Sequence, residues 1–279
     1  MSVSARSAND LPVAANVAHV DVRGGSPVRA GTFPFEVGDV VVSGWHAHDL
    51  HQLEYAFQGV VEVETAAAHY LLPPQQAVWI PAGLPHKTTL RRVRTMAVFF
   101  DPTMLSGAGD RARILAAAPV IREMILYGAR WPIGRPSSDP TADAFFEALA
   151  LLVLEWLDHE TPLCLPTSTD PLVAAVMEHT NAHLAQVSAR DVCAAVGVSE
   201  RSLRRLFPTA TGMTWRQYLL ESRLLRAMAL LAEPAPSVLD VATLVGFESA
   251  SAFARAFARY TGETPTAYRR RVMAAPTRV

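Results

Sequence analysis

The C-terminal part of the chain states one pattern twice. Residues 188–219, SARDVCAAVGVSERSLRRLFPTATGMTWRQYL, are matched in outline by residues 237–269, SVLDVATLVGFESASAFARAFARYTGETPTAYR. Asp191, Val192, Val196 and Gly197 align with Asp240, Val241, Val245 and Gly246 at an offset of 49. Phe207, Gly212, Thr214 and Tyr218 align with Phe257, Gly262, Thr264 and Tyr268 at an offset of 50. The one-residue slip falls just after the first glycine, where a turn absorbs it. Each copy therefore predicts a helix, a glycine turn and a second helix.

In the first copy a helix is expected from Ser188 or Ala189 through Val196, closed by Gly197 in left-handed conformation. Ser199 should cap a second helix to about Phe207. Val192, Val196, Leu203, Leu206 and Phe207 pack the pair together, leaving Arg201, Arg204 and Arg205 outward. Such a face in a major groove reaches guanine edges and phosphates. In the second copy Gly246, Phe247, Phe253 and Phe257 pack, and Ala250, Ser251 and Arg255 are the outward positions. That set offers fewer donors and suits thymine methyls and backbone shape. Thr264 and Pro265 should open a last helix through Arg271.

Residues 215–232 carry neither Gly nor Pro and predict one connecting helix. Its length is about 27 Å, of the order of the roughly 34 Å between successive major-groove faces. A lone copy could equally be part of an ordinary bundle with a solvated arginine face. Duplication, the turn glycine and the arginines together favour DNA.

Charge agrees with this division. Residues 170–279 hold 13 Arg, no Lys and 9 carboxylates, a net +4, within a chain of net charge −1. A basic end joined to an acidic one fits nucleic-acid binding at one end only. No apolar run is long enough to cross a bilayer, and residues 1–30 lack a secretory block and read as a loose arm. Cys164 and Cys193 are the only cysteines, so a reducing cytoplasm is expected and a disulfide framework is not.

Upstream, residues 31–100 are rich in Val, Phe, Trp and Tyr in short alternating runs. Strands are expected at Val40–Ser43, Gln52–Phe57, Val60–Glu64, Ala77–Ile80 and Arg94–Phe99, a small barrel or sandwich. Residues 111–128 and 141–159 predict amphipathic helices, the second with a stripe of Ala144, Phe145, Leu149, Leu152, Val153, Trp156 and Leu157. That stripe suits either a homodimer contact or packing on its own barrel. The Pro-, Ser- and Thr-bearing segment ETPLCLPTSTDP, residues 160–171, reads as a linker.

The barrel also carries histidines at regular positions. His46 and His48 share one strand face with Gln52, if no loop intervenes, and a turn at Pro81 and Gly83 delivers His86. Three neutral imidazoles converging in a barrel suit Zn, Ni, Cu or Fe. His51, Glu54 and His69 read as strand-surface residues, and Tyr55, Phe57 and Trp79 as barrel core.

Residues 170–271 resemble the DNA-binding region of the AraC/XylS family of bacterial transcription regulators, above all in GFESASAFARAFARYTGETPTAYRR. The resemblance implies two helix-turn-helix motifs joined by a long helix on promoter DNA. It also puts base reading on Arg201, Arg204, Arg205, Ala250, Ser251 and Arg255. Trp215 stands where the second copy has Pro265, a small departure. The histidine segments resemble the cupin double motif, with His46, His48, Gln52, Gly59, Pro81, Gly83 and His86 at motif spacing. Gln52 replaces the usual carboxylate, which weakens a catalytic iron site. WHAHDLHQL with VVEVETAAAHYLLPPQQAVWIPAGLPH resembles a subgroup that includes a nickel-responsive repressor of an efflux gene. That likeness implies one divalent metal, nickel first and zinc next, on His46, His48, Gln52 and His86.

The fold expected is α+β. A flexible arm (1–30) precedes a cupin-like barrel (31–102), a helical packing segment (103–160) and a linker (161–171). An all-α double helix-turn-helix domain (172–273) closes the chain. The function expected is a cytoplasmic, non-enzymatic regulator, a homodimer binding double-stranded promoter DNA under control of a small effector, without membrane contact. A metabolite-responsive activator without metal and a cupin dioxygenase or isomerase with an accessory domain are the competing classes.

Overall fold

The computed structural model describes residues 17–273, with residues 117 and 162 excepted. Its first half is built on two long strands, β4 (His51–Thr65) and β7 (His86–Phe100), paired antiparallel along nearly their whole length. The stretches His51–Phe57 of β4 and Thr95–Phe100 of β7 are covered on two sides, while the rest of each strand alternates between buried and more exposed residues. The remaining strands are β1 (Ala18–His19), β2 (Ala30–Glu36), β3 (Val40–Ala47), β5 (Ala68–Leu72), β6 (Gln76–Ile80), β8 (Arg113–Ala116), β9 (Glu160–Thr161) and β10 (Cys164–Pro166). β7 pairs β2 at one end and β3 at the other, while β4 pairs β6 at one end and β5 at the other. Each long strand thus passes from one face of the barrel to the other.

The corner has a physical cause. The β4–β7 register slips between Ala56 and Val60, where Gly59 has φ 76° and lies against the backbone of Arg92, φ 46°. A Cβ on Gly59 would stand 2.2 Å from the Arg92 carbonyl oxygen. Only glycine lets the two backbones approach this closely, and the bulge bends both strands.

Three expectations need correction. The helix foreseen at residues 111–128 starts only at α1 (Pro119–Gly128), because Arg113–Ala116 pairs with β6 as a strand. Four residues of a short apolar run cannot be told from a helix turn by spacing alone. The segment foreseen as a linker contains β10, paired with β5, and buries Leu163 and Leu165. Its Pro, Ser and Thr mask two leucines at strand spacing. Within the foreseen arm, residues 1–16 lie outside the described residues. Ala18–His19 pairs with β3, Val28 is buried and Arg23 pairs with Asp101 at 2.7 Å. β2 and β5 were not foreseen; Pro34 interrupts the one and PPQQ follows the other.

Helix α1 and helix α2 (Pro140–Trp156) close one side of the barrel. Asp139 caps α2 through the amides of Thr141 and Ala142. Phe146, Leu149, Val153 and Trp156 pack on Leu53, Tyr55, Trp79 and Phe100, so most of the apolar stripe on α2 is consumed within the protomer. The expectation that Tyr55, Phe57 and Trp79 are core holds.

The second half is helical. Helix α3 (Pro171–Ala182) precedes the two repeat units, α4 (Ala189–Val196) with α5 (Glu200–Thr211), and α7 (Val238–Leu244) with α8 (Ala250–Thr261). Helix α6 (Trp215–Leu231), about 25 Å long, joins them, and α9 (Pro265–Met273) follows. The repeat extends to single hydrogen bonds. Ser188 with Asp191, and Ser237 with Asp240, form reciprocal capping boxes. Gly197 and Gly246 have φ 72° and 86° at the two turns. Thr211 and Thr261 each bridge the carbonyl four residues back to the one two residues ahead. Trp215, the departure from the repeat, donates its indole N–H to Thr180 at 3.0 Å and ties the first unit to α3.

Gly246 faces a second constraint, since a Cβ there would meet the Ala185 carbonyl oxygen at 2.2 Å. Gly246→Ala is expected to lose more than about 1 kcal/mol of stability, read by urea unfolding. Gly197→Ala, with nothing within 4 Å of its Cβ, is expected to lose less.

Candidate effector pocket and nucleic-acid interface

The end of β3 brings His46 into the barrel, and a short loop places His48 beside the start of β4. That loop breaks the strand parity, yet His48 and Gln52 still meet, with His48 Nε2 2.9 Å from Gln52 Oε1. His86 opens β7 directly after the Pro81–Gly83 turn. Imidazole centroids stand 4.2 Å apart for His46 and His86, 5.2 Å for His48 and His86, and 6.2 Å for His46 and His48. The four residues singled out by spacing therefore converge.

Each imidazole is oriented through Nδ1 by a carbonyl oxygen. His46 Nδ1 lies 3.1 Å from Gly44 O, His48 Nδ1 2.7 Å from Leu50 O, and His86 Nδ1 2.9 Å from Leu84 O. A carbonyl only accepts, so in the neutral forms of His46 and His86 Nδ1 carries the proton and Nε2 keeps its lone pair, whereas His48 faces an acceptor oxygen at each nitrogen and as a neutral ring can donate to only one of them. The Nε2 of His86 is buried and meets no hydrogen-bond partner. Burial, reinforced by the neighbouring His46 and His48, pushes the His86 imidazole down to about 3. Burial also lowers His48, against the opposing bonds to Gln52 and Leu50.

A cavity of about 380 Å³ adjoins this cluster, lined on its polar side by His46, His48, Gln52 and Glu54 and on its apolar side chiefly by Phe33, Phe35, Leu90 and Phe99. His86 adjoins His46 and His48 without lining the cavity itself. Val20, Asp21 and Val22, from the segment foreseen as an arm, line the mouth.

Two residues assigned to the strand surface are buried instead. Glu54 is 2% exposed and accepts from Gln52 Nε2 at 3.1 Å and from Thr95 Oγ1 at 2.9 Å. It shares the strand parity of Gln52, which was the signal available in the sequence. β4 is covered on both faces over this stretch, so a charged residue on it could not be assumed to face water. His51 is buried too, accepting the Ala82 N–H at 2.9 Å and lying on Trp79. His69 is half-exposed on the barrel surface, 3.4 Å from Glu62, as expected.

Among the described residues, no three His, Cys, Asp or Glu side chains already stand as a ready-made metal cage. His48 Nε2 would have to release Gln52 Oε1 first. Three backbone-anchored rings and the orphaned, buried Nε2 of His86 are nonetheless parts that a cation could use.

In the helical domain, Arg201, Arg204 and Arg205 on α5 and Ala250, Ser251 and Arg255 on α8 are all exposed. Leu203 and Phe207, and in the second unit Phe253 and Phe257, face inward. Arg204 makes an exposed pair with Glu200 four residues earlier, a contact weak enough to be exchanged for a phosphate.

Comparison with known proteins agrees with this architecture. Residues 35–161 match the model of an AraC-like ligand binding domain, and residues 192–271 that of a helix-turn-helix domain. The HTH-type transcriptional regulator NimR of Escherichia coli is 27% identical over 245 residues, 86% of this chain and 85% of that protein. The HTH-type transcriptional activator RhaR of Escherichia coli is 33% identical over 135 residues, 48% of each chain. The crystallised DNA-binding domain of AdpA, in complex with a target DNA, is 34% identical over 40% of this chain and all of that one, with a TM-score of 0.36. The chain belongs to the AraC-type transcription regulators, with an effector-binding N-terminal domain and a helix-turn-helix DNA-binding domain. No helix among the described residues is long and apolar enough to cross a membrane.

Burial pushes the Glu54 carboxyl up to about 7, against the Thr95 bond that lowers it. Between its unfolded value near 4.5 and about 7 the folded protein holds this proton more tightly. Its contribution to stability is therefore full below 4.5 and lost as pH rises through 7. Between pH 5 and 8 the wild type should lose on the order of 2 kcal/mol more stability than Glu54→Gln, measured by urea unfolding.

Proposed function

We propose that this protein is a cytoplasmic, homodimeric regulator whose promoter binding is set by a small effector in the barrel, with a divalent transition metal as that effector. Arg201, Arg204 and Arg205 take base edges and phosphates in one major groove; Ala250, Ser251 and Arg255 take the next. His46, His48 and His86 would hold the ion through Nε2, with Gln52 Oε1 available, and nickel is preferred over zinc. The observation that carries the metal reading is the buried, unpartnered Nε2 of His86 beside two imidazoles with Nδ1 anchored like its own. Bound metal would supply charge and a preferred geometry to the cluster.

A regulator is favoured over an enzyme by the matched domains and by Gln52 at the motif's carboxylate position. A second reading, an organic metabolite without metal, is favoured by the cavity, since about 380 Å³ exceeds the needs of a bare ion. The homodimer belongs to the proposal also; with the α2 stripe packed inward, Val120, Tyr127 and Leu151 remain exposed on α1 and α2.

Gel shifts with the fragment upstream of its own gene test the reading. Binding should respond to Ni²⁺ and to chelator, and His86→Ala should abolish the response. Binding indifferent to metal in the wild type rejects the metal version. Arg201→Ala is expected to weaken binding on the order of tenfold. If Arg201 contacts phosphate, the slope of log affinity against log salt should also fall by about 0.9.

A further inference from the structure

Among the described residues, Gln75 (φ 64°) and Arg92 (φ 46°) are the non-glycine residues with left-handed backbone. Both lie where the barrel meets the helical domain. Such a conformation costs a side-chain-bearing residue about 1 kcal/mol or more, and it persists where surroundings hold it. At Arg92 the seam is loose, with a cavity of about 210 Å³ between that turn and Arg226, Ala229 and Glu233 of the α6 end. At Gln75 it is tight.

Gln75 ends the β5–β6 turn after Pro73 and Pro74, and its N–H donates to the Ala56 carbonyl of β4 at 2.8 Å. Its side chain crosses the seam. Nε2 donates to the Arg271 carbonyl at 2.6 Å, and Oε1 accepts from Arg271 Nη1 at 3.3 Å. That carbonyl lies in the last described turn of α9. Arg271 is itself fixed, donating through Nε and Nη2 to Glu263 at 3.0 and 2.5 Å and lying 5.1 Å from the Tyr268 ring. Tyr268 packs on Phe257 of α8 at 5.4 Å. On the barrel side, Ala56 is four residues along β4 from Gln52, roughly 13 Å of strand.

We infer that Gln75 is the positioning residue through which the effector barrel sets the second helix-turn-helix unit. The inference rests on the regulator reading above. A displacement of β4 at Gln52 or Glu54 reaches Ala56 along a paired strand, passes to Gln75 by one hydrogen bond, and leaves through the Arg271 carbonyl of α9.

The test uses the full chain with Gln75→Ala and Gln75→Gly. Both remove the clasp, and glycine adopts the left-handed backbone freely, so it separates loss of the clasp from a strained turn. Amide hydrogen exchange over residues 263–273 should quicken at least tenfold in both variants, with residues 189–212 and β4 unchanged. Affinity for the upstream fragment should move at least threefold. Unchanged exchange, exchange quickened evenly throughout the chain, or released α9 with unaltered DNA affinity would each overturn the inference. If the wild type fails to bind that fragment, the regulator reading fails for it, and exchange alone decides the clasp.

Discussion

The antiparallel pairing of β4 with β7 is the contact on which both halves of the molecule depend. β4 supplies Gln52 and Glu54 to the pocket, and β7 supplies Thr88, Leu90 and Phe99, with Thr95 bonded to Glu54 and His86 beside the other imidazoles. The Thr95–Glu54 bond exists only in this register. A slip of one residue would turn every one of these side chains to the opposite face of its strand. The same strand, at Ala56, holds the turn that touches the DNA-binding region. Pocket and seam are thus two stretches of one ladder.

Polar groups in the barrel are arranged as a chain rather than as isolated bonds. Thr95, Glu54, Gln52, His48 and the Leu50 carbonyl follow one another at hydrogen-bond distance. Buried polar chains of this kind are costly unless each member is satisfied. Orientation of the Gln52 amide decides which neighbour receives a donor and which an acceptor, so a ligand that takes His48 Nε2 must reorganise the row beneath it.

Much of the helical domain could be read from the sequence because its determinants are local. Serine caps, turn glycines and the spacing of Phe253 and Phe257 are each complete within a few residues, and duplication states them twice. The converging histidines were legible for the same reason, as motif spacing. What escaped was non-local. Whether Glu54 is buried depends on which strands cover β4. Whether Arg113–Ala116 is strand or helix depends on β6 offering an edge, and Leu163 and Leu165 look like linker until β5 lies beside them. Gln75 carries no local signal; its partner is 196 residues away.

Helix α6 packs into both repeat units, with Tyr218 lying on Phe207 of α5 and the later turns reaching α7 and α8. The two units accordingly share one rod. In the proposed complex, with α5 seated in one groove, that shared rod would confine α8 to a small volume beside the next, so the second contact would give up little further freedom of motion. A partner seated under such confinement can be a poor solitary binder. In that complex the sparse donor set of Ala250, Ser251 and Arg255 would be compatible with firm overall attachment, and α8 would tolerate more base variation than α5.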